Sequence, residues 1–281
     1  MKLGKRLGLG RTSEVFEIDS EEPFESSSSN KIVKLYFNTV PEPAIARDYQ
    51  NSRHAAELGL PAPAAYDRAT IDERRGIVLE RIAGDSLISA IFKGQVALHD
   101  AARTFAEIHW RINRTDAPGF RPLAEALKEA LAGIPVDTLD EAERAAIFSY
   151  IEGLPEGTAA CHLDFHPDNV LYTDGRCVVI DWAFAAKGPA MMDFAFTSLI
   201  TELGEIMPGL SDEMQQQVTQ LRKQFVDTYQ ATYLTAAGLG LDEAAPWRLA
   251  ALTFRLGNWG LESERDMLIS GIREELEKLG C

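Results

Sequence analysis

The run HLDFHPDN, His162 to Asn169, sets two histidines and two aspartates at alternate positions: His162, Asp164, His166 and Asp168. Residues two apart share one face of a β-strand, so on a strand these four side chains would aim at one point. Imidazole and carboxylate groups converging in that way suit a permanently held transition metal. Pro167 argues against that geometry, because proline cannot donate to a sheet ladder and turns a presumed strand into an edge or a loop. The other chemistry open to the same residues is that of a catalytic loop, which meets its metal only when a substrate brings it.

The residues that follow favour a loop feeding a hairpin. VLY and CVVI are short apolar runs on either side of TDGR, and Asp174-Gly175 is a strong two-residue turn signal. Antiparallel strands bring the ends of a hairpin together, which puts Asp181 beside Asn169. A carboxylate next to a carboxamide offers oxygen ligands, the kind Mg²⁺ takes, with water and substrate phosphates completing its shell.

The elements that must hold these residues change character along the chain. VFEI (15–18) and IVKLYF (32–37) are rich in β-branched and aromatic residues and predict a hairpin, joined by the long polar loop DSEEPFESSSSN. AIARDYQNSRHAAEL has helical spacing and stops at Gly59, before Pro61 and Pro63. GIVLERI predicts one more strand. Beyond Gly84 helical patterns dominate: ALHDAARTFAEIHWRI, LAEALKEALAGI, DEAERAAIFSYIEGL, DEMQQQVTQLRKQFVDTYQATYLTAA and ERDMLISGIREELEKL. Apart from Ser26 to Ser29 there is no low-complexity tract, and there is no internal repeat.

A chain of 281 residues, 46% hydrophobic and 25% charged, can bury a sizeable core in one large domain or two unequal lobes. No run is apolar for membrane-spanning length and the start lacks a secretory h-region, so a soluble, cytoplasmic protein is expected. Cys161, Cys177 and Cys281 form no CxxC and no paired framework, and are expected to be reduced. Of the net charge of −15, residues 1–82 carry −1 and the remainder −14. Such acidity repels a nucleic-acid backbone and attracts cations, so a cationic small ligand fits better than DNA or RNA.

With those elements in view, HLDFHPDN followed by IDW resembles the catalytic loop and metal segment of the protein-kinase-like small-molecule phosphotransferases. That group includes aminoglycoside phosphotransferases and choline kinases, whose loop reads HxDxxxxN. The resemblance implies an α+β, bilobal kinase-like fold. A small N-lobe, residues 1–82, would carry an antiparallel sheet, one helix and the hinge, and a larger helical C-lobe, residues 83–281, the catalytic loop and acceptor site. It further implies Asp164 as the catalytic carboxylate, Asn169 and Asp181 as Mg²⁺ ligands, and ATP or GTP as phosphoryl donor to a small-molecule hydroxyl. LGLGRTSEVF resembles the glycine-rich loop: Gly8, Gly10, Arg11, Thr12 and Ser13 would cover the phosphates and Val15 the base. A Walker A loop is excluded because no GK[ST] follows.

Lys34 matches the strand lysine that binds the ATP phosphates. Its usual partner is Glu, and the pattern RDYQNSRHAAELGLPAP puts Asp48 there, with Glu42 and Glu57 as less favoured substitutes. Backbone groups of Glu80, Arg81 and Ile82 would read adenine. His162 is expected to brace the loop, His166 to touch substrate or brace Asp164, and Asp168 to be an additional acid. Asp193 in GPAMMDFAF and His109 in FAEIHWRI are expected to anchor and pack. Trp247 and Trp259 offer aromatic faces to a quaternary amine, or belong to the core. A catalytically weak nucleotide-binding module and the permanent metal cage remain the alternatives.

Overall fold

The computed structural model describes residues 2–19, 30–173, 175–203 and 211–280. The polar loop with its serine run, Asp174 of the predicted turn, and Cys281 lie outside the described residues. In chain order the strands and helices are β1 (Lys2–Leu9), β2 (Ser13–Asp19), β3 (Lys31–Tyr36), α1 (Glu42–Glu57), β4 (Ala65–Ile71), β5 (Arg74–Glu80), β6 (Asp85–Ser86) and α2 (Leu87–Phe92). There follow α3 (Leu98–Asn113), α4 (Leu123–Gly133), α5 (Glu141–Glu152), β7 (Ala159–Cys161), β8 (Val170–Thr173), β9 (Arg176–Val179) and β10 (Ala186–Gly188). The chain ends in α6 (Ala190–Leu203), α7 (Asp212–Ala237), α8 (Arg248–Trp259) and α9 (Glu262–Leu279).

Two compact units are formed, and neither is a single stretch of sequence. The first comprises Met1–Ala90 and Asp168–Phe184, the second Ile91–Pro167 and Ala185–Cys281. In the first, five strands form an antiparallel sheet in the order β1-β2-β3-β5-β4. The face of the sheet toward α1 is closed where Tyr36 and Ile77 are buried together with Ile45 of the helix, while Val33 and Leu35 are buried on the opposite face. The hairpin β8-β9 pairs Val170 with Val179 and Thr173 with Arg176, so the turn falls between Thr173 and Arg176. Gly175 sits there at φ +76°, a conformation that costs glycine nothing. β6 adds a third strand beside β8.

The second unit is helical apart from the short pair β7-β10. Its core is aromatic: Phe105 stacks on Phe165 at 4.3 Å, and Phe194 on Tyr233 at 4.7 Å. α5 begins where the sequence provides reciprocal caps, with Asp140 accepting from the Glu143 amide and Glu143 from the Asp140 amide, each at 2.8 Å. The two tryptophans are part of this packing. Trp247 is buried, and Trp259 lies against Phe196 and Phe254 with the Arg255 guanidinium 5.0 Å over its ring. That guanidinium is held in turn by both carboxylate oxygens of the buried Glu264. Among the described residues no helix is long and apolar enough to cross a membrane.

Candidate active site

In the first unit the predicted residues gather around Lys34. β3 runs through the middle of its sheet, so a side chain on its inner face is out of water whatever its charge. Lys34 is 8% exposed, and its ammonium donates to Asp48 Oδ2 at 2.8 Å and to Asp181 Oδ1 at 3.0 Å. Burial disfavours its charge, but Asp181 and Asp48 outweigh that and hold the group protonated well above the ordinary lysine range. Asp48 is therefore the helix acid. Glu42 pairs instead with Arg68 and Arg75, and Glu57 with Arg53, all on the surface.

The shorter acid is held by neighbours that the sequence reading did not single out. Tyr36, on the same face of β3 two residues beyond Lys34, donates its hydroxyl in a short hydrogen bond to the same Asp48 Oδ2. Ser52, one turn along α1, donates to Oδ1 at 3.3 Å. Burial, and then the Asp48 charge, pushes the Tyr36 phenol far above its usual range, so it remains a donor. Removing that donor with Tyr36→Phe leaves the lysine pair but strips a bond to a buried charge. A loss of about 1.5–3 kcal/mol in unfolding free energy is expected, read as a lowered urea midpoint at unchanged m-value.

Asp181 follows β9 in a left-handed conformation, φ +64°, which a non-glycine residue adopts only when its surroundings impose it. The Ile180 amide donates to the Asn169 carbonyl at 2.9 Å, closing the end of the hairpin, and Asn169 itself is buried. Trp182 is fully buried and its indole donates to the Val179 carbonyl at 2.9 Å. Asn169 and Asp181 thus stand at the two ends of one hairpin, as the sequence spacing requires. Asp168 points elsewhere: it is exposed and accepts from Ser86 at 3.0 Å.

The glycine-rich segment is the tip of the β1-β2 hairpin. Gly8 pairs with Val15, and the Gly10 amide closes the turn on the Ser13 carbonyl at 2.8 Å. Arg11 and Thr12 are exposed, Ser13 is buried, and the Thr12 carbonyl accepts from the Phe37 amide. Further along, Glu80 ends β5 and uses its carboxylate on the Ala64 amide. The Glu80 and Arg81 amides are committed to the Ala64 and Asn30 carbonyls, each at 2.8 Å. Of the three proposed adenine readers, this leaves the carbonyls and the Ile82 amide as the candidates.

In the second unit the loop after β7 is organised by Asp193, which α6 buries completely. Its Oδ1 accepts from the Leu163 amide at 2.8 Å; its Oδ2 accepts from the His162 amide at 2.8 Å, from Asn113 at 2.9 Å, and meets His109 Nε2 at 2.9 Å. Leu163 is held at φ +58° by this grip. Burial alone would raise the Asp193 pKa, but His109 and the surrounding donors reverse that and lower it below the ordinary aspartate value. His162 is fully buried and its Nδ1 accepts from the Asp164 amide at 3.3 Å. The Asp164 carboxylate is only 13% exposed and lies 3.8 Å from His166 Nε2.

These placements answer the opening choice between a cage and a loop. β7 ends at Cys161, before the first histidine, and Pro167–Asn169 forms a single 3-10 turn, so the alternate residues never share a strand face. Among the described residues no three His, Cys, Asp or Glu side chains come together in a way that could hold a metal ion.

A five-stranded antiparallel sheet with one helix, a hairpin ending in an aspartate, and a separate helical unit define a kinase-like α+β fold. The model of the phosphotransferase enzyme family matches residues 5–247, and the chain belongs to that family. The aminoglycoside phosphotransferase APH(4)-Ia is a structural neighbour at TM-score 0.65 and 17% identity, covering 97% of this chain and 92% of that one. A choline/ethanolamine kinase family protein from Mesorhizobium loti matches at TM-score 0.55 and 17% identity, over 98% of this chain and 87% of the other. Amicoumacin kinase hAmiN, solved with AMP-PNP, Ca²⁺ and Ami, matches at TM-score 0.58 and 15% identity, over 96% and 86%. At such identities the likeness establishes the fold. No match was found among curated proteins.

Proposed function

We propose that the protein transfers the γ-phosphate of ATP, or of GTP, to a hydroxyl of a small cationic molecule in the cytoplasm. The observation that carries this reading is the buried Lys34 ammonium clamped between Asp48 and Asp181, with Asp181 at the far end of the hairpin that starts at Asn169. The same contact weighs against a catalytically weak module as far as Asp48 is concerned, since Asp48 makes the ion pair that its shorter side chain put in question. Residues 1–82 are proposed as the nucleotide lobe and 83–281 as the part with the catalytic loop and acceptor site.

Lys34 binds phosphate oxygens, a role for which a permanently charged, positioned ammonium is suited. The glycine loop adds backbone amides. A β-carbon at Gly8 would be no closer than 3.9 Å to Val15 and one at Gly10 no closer than 3.5 Å to Ser13. The chain's own packing therefore does not demand these glycines, which supports a role in close approach to a ligand. Asn169 and Asp181 provide oxygen donors only, which fits Mg²⁺. When bound there, the cation would neutralise charge on the phosphates. Asp164 holds the acceptor hydroxyl and takes its proton, and the hydrogen bond from its own amide to the His162 imidazole and the grip of Asp193 keep its loop in place.

The strong acidity after residue 82 supports an amine-bearing acceptor, such as an aminoglycoside, a choline-like alcohol or an amino sugar. Mg²⁺-dependent ADP release, measured from ATP and GTP across a panel of such compounds and of neutral sugars, tests both parts. Acceptor-stimulated release with amines, and none with neutral sugars, is expected. Release with neutral sugars alone would overturn the cationic acceptor, and no stimulation by any hydroxyl compound would count against phosphotransfer itself.

A further inference from the structure

Asn51 stands one helical turn beyond Asp48 on α1 and is 4% exposed. Its side-chain nitrogen donates to the Trp182 carbonyl at 3.0 Å and to the Ala183 carbonyl at 3.4 Å. Those are the two carbonyls that follow directly on Asp181, whose backbone is in the left-handed region. A strained residue of this kind persists only where its flanks are fixed. One flank is fixed by the Ile180 amide on the Asn169 carbonyl. On the other, a carboxamide is suited to the task because its two N–H groups can serve two carbonyls at once, which neither a hydroxyl nor an apolar side chain can do.

We propose, on the phosphotransferase reading above, that Asn51 is a positioning residue for the metal site: it holds the backbone of Trp182 and Ala183 so that the Asp181 carboxylate is presented to the cation. α1 then acts twice on the same aspartate. Asp48 reaches it through the shared Lys34 ammonium, and Asn51 through the backbone that carries it. Both of these contacts are to backbone carbonyls that follow Asp181 and not to a group proposed above to hold nucleotide or acceptor, so removal of Asn51 is predicted to affect metal affinity and to spare metal-free nucleotide binding.

The test is calorimetric, with Mn²⁺ titrated into the full-length protein at saturating ADP, and ADP titrated in EDTA, for wild type, Asn51→Leu and Asp181→Asn. Asn51→Leu is expected to need roughly 10- to 100-fold more Mn²⁺, the usual cost of losing a group that orients a metal ligand, with ADP affinity in EDTA unchanged. Should the leucine variant not fold, Asn51→Ser, which is too short to bridge both carbonyls, gives the same comparison. Unchanged Mn²⁺ affinity would overturn the proposal. So would Mn²⁺ affinity, ADP affinity and thermal midpoint all falling together, since that marks a purely structural role. Loss of Mn²⁺ binding in Asp181→Asn alone sinks the role of Asn51 and leaves the proposed function standing; no loss in Asp181→Asn sinks both.

Discussion

Asp164→Asn is expected to lower turnover by about 100- to 10,000-fold, the range lost with a general base, while leaving ATP affinity where it was. The substitution keeps the shape of the side chain and removes its capacity to accept a proton. The loop should not move, because its grip is on backbone amides: Asp164 to the His162 imidazole, and His162 and Leu163 to Asp193. The groups proposed to hold nucleotide, Lys34 with Asp48 and Asp181, belong to the other compact unit. ADP release at saturating ATP and acceptor, with ATP binding measured alongside by calorimetry, gives the two numbers needed. Undiminished turnover would remove Asp164 from the role assigned to it.

The second large effect is on stability. Asp193→Ala withdraws a buried carboxylate from the His162 and Leu163 amides, from Asn113 and from His109. Breaking a buried, charge-assisted network by removing one partner costs about 3–5 kcal/mol, because the remaining donors are left out of water without an acceptor. The loss should appear as a lower urea midpoint and also in catalysis, since the Asp164 loop depends on the same contacts. Its pH dependence has a defined sign. The folded state lowers the Asp193 pKa, so the stabilisation is complete above the unfolded value of about 3.9 and fades as pH falls through the folded one. The gap between wild type and variant is therefore expected to be full near neutrality and to shrink below about pH 4. A gap that widened on acidification would contradict an ionised Asp193.

Much of this molecule could be read without coordinates, for local reasons. Helices with one polar and one apolar face, such as α3 and α4, announce themselves through spacing, and α5 through its reciprocal caps. The hairpin β8-β9 followed from two apolar runs around a two-residue turn, and with it the meeting of Asn169 with Ile180, next to Asp181. Elements without a contrasting face escaped notice. Most of α6 is buried all round, so it shows little of the helical period; α8, buried from Leu249 to Leu256, was missed although its sequence does carry that period. β1, a charged edge strand with glycines at positions 4 and 8, shows no alternation either.

The candidate site divides along the same line. The sequence by itself determined which residues to propose for the chemistry, namely Lys34, Asp164, Asn169 and Asp181, because each lies in a short motif whose spacing is set by a strand, a turn or a loop. It also named Asp48, but not how so short an acid would serve. Only the tertiary structure decided that, by bringing Tyr36 and Ser52 onto its two oxygens. A strand-period signal, Lys34 and Tyr36 two apart, and a helix-turn signal, Asp48 and Asn51 three apart, were present to be noticed. Neither says what stands opposite, since the Trp182 and Ala183 carbonyls lie more than 130 positions along the chain from Asn51. Backbone partners carry no side-chain signature. The hold of Asn51 on the segment after Asp181 and that of Asp193 on the Asp164 loop therefore exist only once the chain has folded.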